Sequence, residues 1–195
     1  MRNSELKRNT NETKINIFLE LDGTGKNEIK TGCGFLDHML NLFASHGRFD
    51  LKIQCEGDYH VDFHHTVEDV GICLGKVFKN ALGEKKGINR YGYFILPMDE
   101  ALILSAVDFS GRSFLNWDVD LFTPKVGDFD TELAKEFWLG FVRNAECTLH
   151  FKKLDGENSH HIIEGVFKSA ARSFKEAVKI NKDFENEIPS TKGLI

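Results

Sequence analysis

The sequence has little cysteine, and none of it falls in a paired motif. Cys33, Cys55, Cys73 and Cys147 are the only four in 195 residues, widely spaced and without a C-x-x-C unit. That excludes a metal-thiolate knuckle and argues against a disulfide framework; reduced, partly buried thiols in the cytoplasm are the expectation. The N-terminus (Met1-Arg2-Asn3-Ser4-Glu5-Leu6-Lys7-Arg8) lacks an apolar h-region, so no secretion signal is expected. The apolar run Ala101 to Val107 is far too short to span a bilayer, and no membrane association is expected. Positive charge is not in excess. A formal net charge of −5 argues against a broad nucleic-acid surface, while leaving room for a small basic pocket.

What is present is the composition of a globular protein, 41% hydrophobic and 28% charged, long enough for a substantial core in one large domain or two fused small ones. Residues 14–21 alternate apolar and polar and predict a half-buried strand, with Asp22-Gly23-Thr24-Gly25 as its turn and a second strand near 26–31. Phe35 to Phe43 carries apolar residues at helical spacing, with Gly47 as the stop. A strand at 49–55 and a helix from about Thr66 to Leu82 follow. The polar stretch Gly83 to Arg90 divides the chain into halves of about 1–90 and 91–195. The second half predicts strands at Tyr93–Leu96 and Ala101–Phe109, a helix at Thr131–Asn144, a strand at Cys147–Leu154 and a helix at Ser159–Lys179. Strand, strand, helix, strand, helix thus occurs twice, an internal duplication. The expected fold class is α+β: two sheets, each covered by helices on one face, within a single domain spanning 1–195.

The duplication carries chemistry. His64-His65-Thr66-Val67-Glu68 returns as His160-His161-Ile162-Ile163-Glu164, so four of the eight histidines lie in two His-His-x-x-Glu units. On a helix, i and i+4 share a face while i+1 lies about 100° round. His64 and Glu68, and His160 and Glu164, therefore present nitrogen and oxygen together, and His65 and His161 point elsewhere. Such divergence suits two ions, each drawing on both copies, better than one. Imidazole and carboxylate without thiolate favour Mn²⁺, Fe²⁺ or Zn²⁺, with octahedral Mn²⁺ a good fit. The alternative is a duplicated structural hydrogen-bond network. His38, beside Asp37 in a predicted helix, is a plausible fifth ligand; His46, at that helix's end, reads more simply as a cation favoured by the helix dipole. Arg90, Arg112, Lys168 and Lys192 lie in or beside Gly- or Ser-containing phrases and would suit a phosphate, although each alone also reads as a solvated charge. Glu12 and Asp99 are acids available for proton transfer, with no local feature singling them out.

Phrases throughout the chain resemble the imidazole glycerol-phosphate dehydratase family of histidine biosynthesis. They are Gly34-Phe35-Leu36-Asp37-His38-Met39-Leu40, His64-His65-Thr66-Val67-Glu68-Asp69, Gly87-Ile88-Asn89-Arg90, Met98-Asp99-Glu100-Ala101-Leu102, Asp108-Phe109-Ser110-Gly111-Arg112, Thr148-Leu149-His150, Gly156-Glu157-Asn158-Ser159-His160-His161-Ile162-Ile163-Glu164 and Pro189-Ser190-Thr191-Lys192-Gly193, in family order. The resemblance implies a duplicated fold like the second domain of ribosomal protein S5. It also implies a homo-oligomer of 24 subunits with sites between subunits and two Mn²⁺ per site. By the same resemblance His38, His64, His65, Glu68, His160, His161 and Glu164 would be metal ligands. Glu136 stands where many relatives have a metal-binding histidine, a place a carboxylate also fills. Arg90, Arg112, Lys168, Ser190, Thr191 and Lys192 would hold the substrate phosphate. Glu12, His46 and Asp99 would line the reacting part, with Glu12 or Asp99 moving protons and Glu164 as a helper. The implied chemistry is a hydro-lyase reaction on a phosphorylated imidazole, through a metal-bound imidazolate and a diazafulvene-like intermediate. Two other classes stay open on the residues: a metal-dependent hydrolase, and a non-catalytic metal or RNA binder, the last opposed by the acidic balance.

Overall fold

Ile15, Ile17 and Leu19 are buried and the residues between them are exposed or half-buried, so the alternation in the sequence becomes a strand with one face in the core. The computed structural model describes residues 1–195. The first half runs β1 (Asn3–Asn9), β2 (Thr13–Glu20), β3 (Asn27–Lys30), α1 (Gly34–Gly47), β4 (Asp50–Gly57) and α2 (His64–Leu82). The second runs β5 (Tyr91–Met98), β6 (Ala101–Asp108), β7 (Phe114–Asp118), a small hairpin β8 (Lys125–Val126) and β9 (Phe129–Asp130), α3 (Leu133–Ala145), β10 (Thr148–Asp155) and α4 (Ser159–Val178). The two main sheets have the same order, β1-β2-β4-β3 and β5-β6-β10-β7. In each, the last-named strand is parallel to its neighbour and the other pairs are antiparallel.

The expected α+β duplication is therefore present, with one strand more in each main sheet than the apolar pattern gave, and the small β8–β9 hairpin besides. The unpredicted strands of the main sheets are β1 and β7, both at sheet edges. Their presence corrects the internal alignment: β2 corresponds to β6, not to Tyr93–Leu96. Two helix ends also move. The second helix begins at His64 rather than near Thr66, so the paired histidines are its first two residues. The first helix is not stopped by Gly47, which is its last helical residue; Arg48 takes the left-handed conformation (φ 60°), and its N–H bonds back into the helix.

Each half's helices lie between its own sheet and the other half's helices: α2 packs on β1 and β2 and against α3, and α4 packs on β5 and β6 and against α1. The α2–α3 crossing is close because glycine is on both sides of it. A Cβ on Gly71 would lie 2.3 Å from the Phe137 carbonyl oxygen, and one on Gly140 2.9 Å from that of Glu68. Phe43, Phe78, Trp138 and Phe174, one aromatic from each helix, meet at ring separations of 5.6 to 6.2 Å and join the halves in a continuous core. The four cysteines are free and buried. No helix is long and apolar enough to cross a membrane.

Candidate metal and substrate site

At both motif helices a side chain two residues before the first histidine accepts from that histidine's amide, at the N-cap of α4 and one residue before the N-cap of α2. The Asp62 carboxylate accepts from the His64 amide at 2.7 Å. The Asn158 side chain, its counterpart, accepts from the amides of His160 and His161 at 2.9 and 3.3 Å. These caps set both His-His pairs at the rim, where the adjacent rings stand nearly perpendicular, at 89° for His64–His65 and 78° for His160–His161. The predicted divergence of neighbouring rings is what the structure has.

His160 and Glu164 share a face of α4, and α1 brings His38 to them. One ligand atom from each of His38, His160 and Glu164 lies within 4.8 Å of the others. Glu164 Oε2 is 3.4 Å from His38 Nε2 and 3.3 Å from His160 Nε2, while Oε1 is paired with the Lys168 ammonium one turn on. Burial raises the Glu164 pKa, but Lys168 and His38 outweigh it, and the carboxyl sits below its ordinary range. It is thus held as an anion with one oxygen facing two imidazoles, an arrangement that suits a cation. Phe35 supports the His160 ring edge-on at 5.1 Å.

The first copy does not join this cluster. His64 and Glu68 stand 4.0 Å apart on α2, and Glu136 is half-buried on the facing helix α3, but these three do not close to a ligating group as the second-half trio does. Within one chain the two motif copies do not meet, and sites formed between subunits do not require them to. The cause is the packing: α4 pairs with α1 and α2 with α3, so the copies lie in different helix pairs.

His65 and His161 each turn Nδ1 to a carboxylate that the sequence reading missed. His65 Nδ1 is 2.9 Å from Asp58, and His161 Nδ1 is 2.8 Å from Glu100. Both rings are thereby raised above the ordinary histidine pKa, and Glu100, bonded also by the Asn158 amide, falls to about 2. A carboxylate on Nδ1 fixes ring orientation and leaves Nε2 as the outward ligand atom. Beyond each Nε2 stands an expected proton-transfer acid, Glu12 at 3.7 Å from His65 and Asp99 at 3.9 Å from His161. Glu100 could have been found from its place beside Asp99; Asp58, in a loop with several acids, carried no signal. Replacing Asp58 with Asn or Glu100 with Gln is expected to weaken metal retention about 10- to 100-fold with the fold intact, a result titration with Mn²⁺ would register.

His46 departs from its simple reading. Burial, with Lys168 and Arg172 nearby, pushes its pKa below the ordinary value, so it is a neutral ring rather than a cation on the helix end.

The basic residues separate into two places. Arg90, Ser110, Arg112, Ser190, Thr191 and Lys192 line one cleft of about 810 Å³. Arg90 is largely committed there: its Nε and Nη2 donate to Asp108 at 2.7 and 3.1 Å, and its Nη1 to the Pro189 carbonyl at 2.9 Å. Arg112, 3.9 Å from Asp108, is mostly exposed. Lys168 is not in this cleft. It belongs with Glu164, and 3.6 Å from the Met98 sulfur, in the trio's neighbourhood.

A family model described as imidazoleglycerol-phosphate dehydratase matches residues 31–174. The imidazoleglycerol-phosphate dehydratase of Exiguobacterium sp. is 55% identical over 195 residues, covering 100% of this chain and 99% of that protein. The one from Prochlorococcus marinus subsp. pastoris is 53% identical over 195 residues, covering 100% of this chain and 97% of that protein. The crystal structure of imidazoleglycerol-phosphate dehydratase from Staphylococcus aureus superposes with a TM-score of 0.84 at 38% identity, covering 92% of this chain and 99% of that one. IGPD from Pyrococcus furiosus, solved in complex with (S)-C348, also gives 0.84, at 37% identity over 97% of this chain and 100% of that one.

Proposed function

The chain belongs to the imidazoleglycerol-phosphate dehydratase family of hydro-lyases, and from that premise we propose that it dehydrates D-erythro-imidazole glycerol phosphate to imidazole acetol phosphate, using two Mn²⁺ per site, in L-histidine biosynthesis. The observation that carries the metal part of this reading is the trio His38, His160 and Glu164, whose donors, two imidazoles and a carboxylate oxygen without thiolate, fit Mn²⁺. In this reading His64 and Glu68, with Glu136, hold the second ion, and His65 and His161 complete the two coordination spheres from neighbouring copies. The assembly proposed is a cytoplasmic homo-oligomer of 24 subunits acting on a small phosphorylated imidazole, without nucleic acid or membrane.

The proton to be removed lies on a carbon with no carbonyl beside it, so an unaided base would be slow. Two ions, one held by His38, His160 and Glu164 and the other by His64, Glu68 and Glu136, would supply the Lewis-acid chemistry that makes the substrate ring electron-rich enough to expel a neighbouring hydroxyl. The chain's own residues do the rest. Glu12 and Asp99, each facing the Nε2 of a motif histidine, are placed to take the C–H proton and to deliver one to the leaving hydroxyl. Glu164, held as an anion by Lys168, suits ligation better than proton donation. His46, neutral, can hydrogen-bond the substrate hydroxyls without adding charge. Arg112, Lys192 and the N–H groups Arg90 has left, with the Ser190 and Thr191 hydroxyls, receive the phosphate.

Metal analysis combined with a dehydration assay tests the proposal. Protein stripped with a chelator is expected to lose dehydration, and stoichiometric Mn²⁺ to restore it. Activity that survives complete stripping would reject the metal-dependent reading, and release of inorganic phosphate from the substrate would favour a hydrolase instead.

A further inference from the structure

We propose that Asp69 is a positioning residue that holds Glu12 in register with His65, an inference resting on the reading of Glu12 as a proton-transfer group. His65 and Asp69 are four residues apart on α2 and face the same way. The hairpin joining β1 to β2 packs on that face. Its tip puts Glu12 3.7 Å from His65, and both of its stems are fastened to Asp69. The Asp69 carboxylate, nearly inaccessible, accepts from the Thr13 hydroxyl at 2.5 Å and pairs with Arg8 Nη1 at 2.5 Å.

The hydrogen bonds have a direction. A carboxylate paired with a guanidinium only accepts, so the Thr13 proton is committed to Asp69. Across the 3.3 Å contact with the Thr10 hydroxyl, Thr13 Oγ1 can then serve only as acceptor. The Thr10 proton turns toward Thr13, to its hydroxyl or its carbonyl oxygen, and the Thr10 lone pairs accept the backbone amides of Glu12 at 3.2 Å and Thr13 at 3.0 Å. With that proton on the Thr13 hydroxyl a continuous relay runs from a buried charge on the motif helix to the backbone of Glu12; with it on the carbonyl oxygen the link passes through the Thr13 backbone instead.

The other half shows what this relay replaces. The position matching Asp69 is Gly165, where a Cβ would come 2.7 Å from Ile103, and the residue matching Thr13 is Ala101. There the turn carboxylate Glu100 grips the motif helix itself, through His161 at 2.8 Å and the Asn158 amide at 3.0 Å. Glu12, at 3.7 Å, makes no such bond, and Asp58 already occupies the His65 Nδ1. Glu12 is thus placed without being tied up, and the placing falls to Asp69.

Thr13→Val cuts the relay at constant volume, and Asp69→Asn removes the charge at its root. Each is expected to lower kcat about 10- to 100-fold with KM for the substrate and bound manganese unchanged, the penalty of a small misplacement of a reacting group. Thr13→Ser, which keeps the hydroxyl, should stay within about threefold of wild type. In a Glu12→Gln background the Thr13→Val effect on kcat should shrink below about twofold, because both changes act through one group. An equal Thr13→Val effect with and without Glu12→Gln, or none at all, overturns the inference while leaving the dehydratase reading intact. Full activity of Glu12→Gln would instead remove Glu12 from the chemistry, and the positioning role with it. Should Asp69→Asn fail to fold, the Thr13 pair carries the test alone.

Discussion

Alanine at His65 or at His161 is expected to give a folded protein that neither retains manganese through gel filtration nor dehydrates the substrate, with activity lower by on the order of 10³-fold or more. Both rings are at the rim, with side chains 32% and 28% exposed, so their removal opens no cavity in the core. Each makes one principal contact, Nδ1 to Asp58 (partly buried) or Glu100 (exposed), and losing a single hydrogen bond at the rim changes stability little. A melting temperature near that of wild type together with lost metal would therefore separate a ligand from a structural residue. The competing account, a duplicated hydrogen-bond network, makes the opposite forecast: manganese content and turnover would persist in both variants. Acid provides an independent arm. Because Asp58 and Glu100 favour the protonated rings, and a protonated ring cannot ligate, manganese retention should weaken as pH falls through their raised pKa values, above the ordinary histidine range. Retention indifferent to pH across that window would count against Nε2 of these rings as ligand atoms.

The features legible in the sequence were those with a strong period or a repeated chemical phrase. The stripes Val67, Val70, Leu74, Val77, Phe78, Ala81 and Ile162, Val166, Phe167, Ala170, Phe174, Ala177 are all buried in the two motif helices. The i, i+4 logic of His160 and Glu164 led to the trio, and that of Glu164 and Lys168 accounts for the pairing of Lys168 beside it. Two of the four edge strands of the main sheets, β1 and β7, escaped because apolar alternation is a signal of burial and neither has a fully buried residue. Of β1, only Leu6 is a sizeable apolar residue, and β7 is paired on one side only. The orienting acids Asp58 and Glu100 escaped for a different reason. They act through contacts set by tertiary packing, across the loop before α2 in one half and across the β5–β6 turn in the other, so no shared spacing marks them. His46 is misleading in the sequence because the burial that disfavours its charge, and the cations that α4 brings beside it, are set by tertiary packing.

Mixing two inactive variants should restore activity, and this follows from the one arrangement the duplication did not predict. In a single chain the trio His38, His160 and Glu164 closes by itself, whereas His65 faces away with Asp58 and Glu12. If a coordination sphere takes its trio from one copy and His65 from another, Glu164→Gln and His65→Ala damage opposite sides of the same site. Each variant alone should be inactive. After dissociation and joint reassembly, a trio from a His65→Ala copy can meet an intact His65 from a Glu164→Gln copy. For random mixing of equal amounts, with two copies contributing to a site, about a quarter of the sites are whole. Dehydration should then return to roughly that fraction of the wild-type rate, and manganese should return with it. A mixture as inactive as its parents would confine each site to one chain and require α2 to move toward α4. A Glu164→Gln and His160→Ala mixture is the matching control. Both changes lie in the trio, so no combination of copies supplies an intact one, and the mixture should stay inactive under the same reassembly.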